Sequence, residues 1–354
     1  MNIVEAKQAI DKVITKARVH FYKPIHIAEI LYHDRTDKEN ILELDNLETY
    51  RNVSKKWRDT ISNRFLGRSS TSSARYQDDV FNDNAVPPPI LALLGKENRE
   101  KNGIVEAYIY RRFAERFTQM SSGLSYCDKH DRSNFQLSAF LLLFWQEAGL
   151  RRSIDKLYEI VVYSLFSAIV TELELVVEVS MNPNKQPILH EFEDFAKRVI
   201  NLQPDVTSFK TNAKIYRVGV TNASDRGMDI WANFGLAIQI KHLSLSEELA
   251  ENIVSSVNAD RIVIVCKQAE QKIILSLLNQ IGWKSRIQSI ITENDLNDWY
   301  EKALRGKYGE QIGEKMLQTL SNEIKVEFPV TENIEFERFF NGRGYDKLID
   351  NLWA

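Results

Sequence analysis

Asp229, Gln239 and Lys241 are the residues whose types and spacing point most directly to chemistry. Asp229 precedes Asn233-Phe234-Gly235 and the other two follow it; in that stretch Asn and Gly supply the positive φ values of a tight hairpin turn. With the turn centred on Phe234, residues equidistant from it face each other across an antiparallel pair. Asp229 then meets Gln239, and the two-residue period puts Lys241 on the same face. The other face reads Ile230, Ala232, Leu236, Ile238 and Ile240, the pattern of a strand pair packed on a core. A carboxylate, a carboxamide and an ammonium group therefore converge.

That set suits phosphodiester hydrolysis. Asp229 can bind a hard cation such as Mg2+, which prefers oxygen ligands, and the Ile240 carbonyl is a second ligand. Lys241 can orient or help deprotonate the attacking water while its charge offsets that of the transition state. Gln239 offers a neutral oxygen where a carboxylate is more usual, so another acid is called for. Asp225 is an alternative to Asp229, but it falls in the preceding loop rather than opposite Gln239. A solvated hairpin can carry the same spacing by chance, so the surrounding elements must bear the argument.

Those elements have an α/β layout. Ser246 to Val257 reads as a helix, Arg261 to Cys266 as a buried strand, Gln268 to Ile281 as a helix, Ile287 to Thr292 as a strand and Asn294 to Leu304 as a helix. Upstream, Ser153 to Val170 is a long apolar helix in which Glu159 is the one formal charge between Leu157 and Val170. An unpaired carboxylate in such a run is costly unless it meets a cation or a donor, which makes Glu159 the candidate for the missing acid and metal ligand. Solvent at the helix edge is the plainer alternative. Glu172, Glu174 and Glu178, on or beside an alternating strand from Leu173 to Ser180, are weaker candidates. Ile188 to Leu202 reads as a helix, and Ala213 to Val220 as the strand leading into the hairpin.

The segment from Arg51 to Tyr76 holds seven Lys and Arg against one acid, Asp59. Its Arg51, Lys55, Lys56, Arg58, Arg64, Arg68 and Arg75 can neutralise phosphates, and Ser69 and Ser70 can hydrogen-bond to them, as can Arg226 beside the hairpin. The alternative is a solvated helix followed by a Ser-rich loop. Arg111, Arg112 and Arg116 form a second patch better read as a charged face beside aromatic residues. Residues 3–19, Pro24 to His33, Ile104 to Phe117, Asn134 to Leu150 and Tyr308 to Asn322 all read as helices, and Gly342-Arg343-Gly344 as a turn that reverses the chain or meets DNA backbone.

With 354 residues, 44% hydrophobic and 27% charged, the chain can bury a sizeable core, and its formal charge of -3 excludes a uniformly basic nucleic-acid binder. Two cysteines far apart in sequence, Cys127 and Cys266, fit a reducing compartment. Cys127-Asp128-Lys129-His130 lacks the second pair a zinc site needs. The longest apolar run is too short to span a bilayer, so a cytoplasmic protein without membrane association is expected.

Asp, nine residues, then Gln-Ile-Lys resembles the PD-(D/E)XK nuclease superfamily, some of whose restriction endonucleases carry Gln or Asn in place of the acid. The segment N-F-G-L-A-I-Q-I-K-H-L-S-L, the helix K-L-Y-E-I-V-V-Y-S-L-F and the overall length resemble the HaeII-type Type II restriction endonucleases. The resemblance implies an α/β, mixed-sheet PD-(D/E)XK core with a largely helical N-terminal region. It also implies a homodimer that cuts double-stranded DNA with Mg2+ at a short GC-rich palindrome of the kind R-G-C-G-C-Y. The expected division is a DNA-recognition region over 1–150, a catalytic core over 151–305 and a helical extension over 306–354. A shape-specific repair or junction nuclease, and a non-catalytic DNA-binding protein with a decayed core, are the competing readings.

Overall fold

The computed structural model describes residues 2–17, 20–37, 42–70, 73–146, 154–218, 228–241, 244–257, 259–269, 286–328 and 333–353. Helices dominate the first half: α1 (Ile3–Lys16), α2 (Tyr22–Thr36), α3 (Val53–Leu66), α4 (Ala74–Asp78), α5 (Pro88–Glu100), α6 (Ile104–Lys129), α7 (Leu137–Gln146) and α8 (Ile154–Glu172). Local chemistry explains several boundaries. Asn2 and Glu5 form a reciprocal capping box at α1. Pro88 and Pro89 open α5, because Pro at the first helical positions gives up only an N–H that has no helical partner.

The second half carries a five-stranded sheet, β3 (Ile215–Arg217), β4 (Ile230–Ala232), β5 (Leu236–Lys241), β6 (Arg261–Cys266) and β7 (Ile287–Thr292), paired in that order. Its first pairs are antiparallel and its last two parallel. The strand before the hairpin is shorter than expected, and part of Ala213 to Val220 lies outside the described residues. Before the sheet come β1 (Val176–Ser180), α9 (Gln186–Glu191), the single turn α10 (Glu193–Phe195) and β2 (Ser208–Asn212). After it come α11 (Glu247–Ser256), α12 (Glu293–Arg305), α13 (Gly309–Glu327) and α14 (Asn333–Gly342). The helix expected from Gln268 to Ile281 falls largely outside the described residues.

The strand expected in Leu173–Ser180 forms as β1, ahead of the core sheet, and pairs with β2 in a separate two-stranded ribbon. One expectation is corrected here. The expected helix from Ile188 to Leu202 breaks into α9, α10 and a π-helical turn ending at Asn201 in the left-handed region. Most helix stability comes from burying an apolar face, and Ile188, Phe192, Phe195 and Val199 of this run stay exposed.

The core sheet is covered on both sides. Ile230, Ile238, Ile240, Val263 and Val265 pack against α8, α12 and α13, while Ala237, Ile262, Ile264 and Cys266 meet Ala250 and Ile253 of α11. A separate core joins α1, α2, α3, α5 and the first half of α6 with Phe339, Tyr345 and Trp353 from the C-terminal end. The second half of α6 reaches the sheet core through Leu124. Among the described residues no helix is long and apolar enough to cross a membrane.

Candidate active site

The hairpin places its residues through backbone pairing alone. Ile230 pairs with Ile238 and Ala232 with Leu236, and Gly235 supplies the turn with a φ of 85°. One step beyond the paired residues, Asp229 stands opposite Gln239. The Gln239 Nε2 donates to Asp229 Oδ2 at 2.5 Å and the Ile240 N–H donates to the same oxygen at 2.8 Å. The N–H and C=O of one strand residue point to the same side, so the Ile240 carbonyl faces the gap that Asp229 occupies. Asn233 fixes the hairpin to the preceding chain: its side chain accepts from the Lys214 N–H and donates to the Asn212 carbonyl, each at 2.9 Å.

Helix α8 packs against β3 and β5 and brings Glu159, which is 4% exposed, to the same region. Lys156, one turn earlier, donates to both Glu159 oxygens at 2.8 and 2.7 Å. Burial pushes the Glu159 carboxyl up to about 7, partly opposed by Lys156 and reinforced by the charge of Asp229. Burial also raises Asp229, against the Ile240 N–H and the Lys241 charge. Lys241 makes no hydrogen bond or ion pair among the described residues, and its charge acts on Asp229.

Arg217, at the end of β3, holds the floor of this region. Its guanidinium reaches Glu327 at 2.9 Å and Glu323 at 2.8 Å, and Glu159 at 3.9 Å. At the carboxyl edge of the sheet, where Lys241, Cys266 and Thr292 are neighbours, the next residue Glu293 accepts a hydrogen bond from Tyr158. Lys156, Arg217 and Glu293 are additions to the residues read from sequence. The three-residue spacing of Lys156 and Glu159 on one helix was a usable signal. Arg217 gave none, because the acids it hydrogen-bonds, Glu323 and Glu327, lie more than a hundred positions away.

The other sequence candidates are placed elsewhere. Asp225, Arg226 and His242 lie outside the described residues. Glu172 pairs with Lys315, Glu178 with Lys210 at 3.5 Å, and the latter belongs to the β1–β2 ribbon. In the basic segment, Arg51 and Lys55 both bind Asp78, at 2.6 and 2.9 Å. Arg58 is buried and bonds Asp59 and Gln77. Arg64 meets Glu335 at 2.9 Å, and Arg68 caps the end of α13 through the Val326 and Glu327 carbonyls. The Ser69 carbonyl accepts from Tyr22, and Ser70 is half-buried. Lys56 and Arg75 are exposed with no partner among the described residues. Arg343, in the turn considered for DNA backbone, instead holds buried Glu29 at 2.6 Å and lies 3.5 Å over the Tyr32 ring.

The donor set fits a hard cation. Two carboxylates, both raised by loss of water, a carboxamide and a strand carbonyl are oxygen ligands of the kind Mg2+ takes. Among the described residues no group of three or more His, Cys, Asp or Glu could hold a metal, so the neutral oxygens would have to complete the shell.

Comparison with known proteins places the chain among restriction endonucleases. A family model described as HaeII restriction endonuclease matches residues 6–345. The chain is 62% identical over 351 residues to the Type II restriction enzyme HaeII of Haemophilus aegyptius, covering 99% of each chain. It is 60% identical over 349 residues to the Type II restriction enzyme NgoBI of Neisseria gonorrhoeae, covering 98% of each. No solved structure matches the chain.

Proposed function

The chain belongs to the HaeII restriction endonuclease family and is a site-specific deoxyribonuclease, and from that premise we propose that it cuts DNA at the Asp229 hairpin with Mg2+. The observation that carries this reading is the meeting of two buried carboxylates, Asp229 and Glu159, with Lys241, which has no hydrogen-bond or ion-pair partner among the described residues. The hairpin followed by parallel strands and covering helices supports assigning the core to the PD-(D/E)XK type.

Asp229, Glu159, the Ile240 carbonyl and the Gln239 carboxamide would hold the cation; turning that carboxamide over presents its Oε1. Bound there, Mg2+ would supply Lewis-acid activation of water and of the scissile phosphate. Lys241 orients the attacking water and offsets the charge that builds on the phosphate oxygens. Lys156 balances Glu159 until the cation arrives. Arg217 holds α13 against β3 and keeps Glu159 from turning away.

The segment from Arg51 to Arg75 is our choice for DNA contact, with Lys56 and Arg75 the exposed cations and Arg51, Lys55, Arg58, Arg64 and Arg68 shaping it. Ser69, Ser70 and Arg226 complete the proposed contact set. From the family we take a short GC-rich palindrome, R-G-C-G-C-Y in kind, and hence a homodimer, since a two-fold target is matched by a two-fold protein. The free thiols of Cys127 and buried Cys266 suit the reducing cytoplasm.

Digestion of plasmid DNA with Mg2+ or EDTA, beside Lys241→Ala, tests the site. Discrete Mg2+-dependent fragments are expected from the wild type, with cutting reduced by about 100-fold or more in the variant while its melting temperature is kept. A Lys241→Ala protein that cuts at the wild-type rate would sink the assignment.

A further inference from the structure

More than half of the large apolar side chains exposed among the described residues fall within 173–206, the excursion between α8 and β3. Ile188, Phe192 and Phe195 are each 54% exposed and Val199 67%. The first three, with Ile200, line a groove of about 430 Å³ whose one charged lining residue is Lys185. The excursion's own core is small: Leu189, Ala196 and Leu202 are its buried apolar residues, backed by Met181 and Phe209. So small a core is marginal without a partner. We propose that this face is where a second copy of the chain docks, in a contact with two-fold symmetry; this rests on the homodimer reading above.

Area, charge and position each favour a second copy over another occupant. Taking about 150–200 Å² for a whole large side chain, Ile188, Phe192, Phe195, Val199 and Ile200 together offer on the order of 400–500 Å² of apolar surface, about half of what one partner contributes to a stable interface. Isolated apolar residues need no explanation, but a contiguous patch of this size does. The exposed residues of this run include Glu191, Glu193 and Asp194 with Lys185, Lys197 and Arg198, three charges of each sign, of which Asp194 and Arg198 pair with each other at 2.9 Å. A segment balanced in this way meets its own copy, run in the opposite direction, with acids against bases. A segment with no net positive charge offers a DNA backbone no electrostatic attraction. The excursion also joins directly to α8 and β3, which carry Glu159 and Arg217, so a contact here would fix the spacing of two active sites.

The test is sedimentation of the full-length wild type, Phe192→Glu and Phe195→Glu over a range of concentrations. The expected result is a wild-type dimer and, in each variant, dimer dissociation raised by about 30-fold or more. Hydrogen exchange on the wild type needs no variant, and residues 186–202 should lose protection on dilution. A wild-type dimer whose variants remain dimeric, or whose 186–202 amides ignore dilution, overturns the surface assignment and leaves the homodimer standing. A wild type that is monomeric at every concentration, free and on DNA, overturns the homodimer reading and this surface with it.

Discussion

At Glu159 the protein holds a charge that folding alone disfavours. Its carboxyl is raised by burial from the ordinary value of 4.5 to about 7, although Lys156 touches both its oxygens. A folded-state pKa above the unfolded one contributes stability below about pH 4.5 and loses it as the pH rises through about 7. Glu159→Gln should therefore stabilise the protein in EDTA above pH 7, by up to about 3 kcal/mol, and make little difference near pH 5. Urea melts at both pH values measure this. Mg2+ should raise the wild-type midpoint at pH 8 and leave the variant's nearly unmoved, because the variant has lost a charged ligand. A variant less stable than the wild type at pH 8 would mean that Lys156 and Arg217 outweigh the desolvation.

Among the elements, β3 and α13 are joined by an ion cluster buried from water. Arg217 has a side chain 6% exposed, and its partner Glu327 is 2% exposed. Replacing Arg217 by Met keeps much of the volume but leaves Glu327 charged and unpaired, which should cost about 3–5 kcal/mol. Pairing that change with Glu327→Leu should recover most of the loss, since an apolar pair of similar size avoids the desolvation penalty. Thermal melts of the single and double variants decide the matter; equal melting for both would show that the cluster is not the source of the loss. The same α13 end receives Arg68 from the basic segment, so the loss is expected to loosen that contact as well.

For the molecule as a whole, the C-terminal residues belong to the core of the N-terminal half. Trp353 is fully buried against the first core, and its ring meets Tyr108 edge-on at 5.5 Å. Arg111 also donates to the Trp353 carbonyl at 3.2 Å. Trp353→Ala should cost about 3–5 kcal/mol, the range for emptying a large aromatic site. The melt of the variant, together with hydrogen exchange in α1, α2 and α5, tests whether the loss falls on that half. Unchanged protection there would show that the end of the chain is a passenger.

The hairpin and the α/β succession were legible because they rest on local rules: a glycine turn, a period of two and helices capped by neighbouring residues. Asp229 and Gln239 followed from register, which the turn fixes. Glu159 could be picked out by sequence only as an oddity of polarity; that it faces Asp229 is a matter of how α8 lies on the sheet. The partners of the basic segment were beyond reach for the same reason. Asp78 is twenty-odd residues from Arg51, and Glu335 is 271 from Arg64, so nothing in the charge pattern distinguishes a phosphate-binding Arg from a paired one. The broken run from Ile188 to Leu202 shows the converse. Its residues have helical periodicity, but no surface among the described residues covers the apolar face, and periodicity without burial does not hold a long helix. Local chemistry thus determined the elements and the hairpin's own residues, while the place of Glu159 beside Asp229, its counter-ions and the pairing of distant charges were decided by tertiary packing, because electrostatic partners are chosen by distance in space.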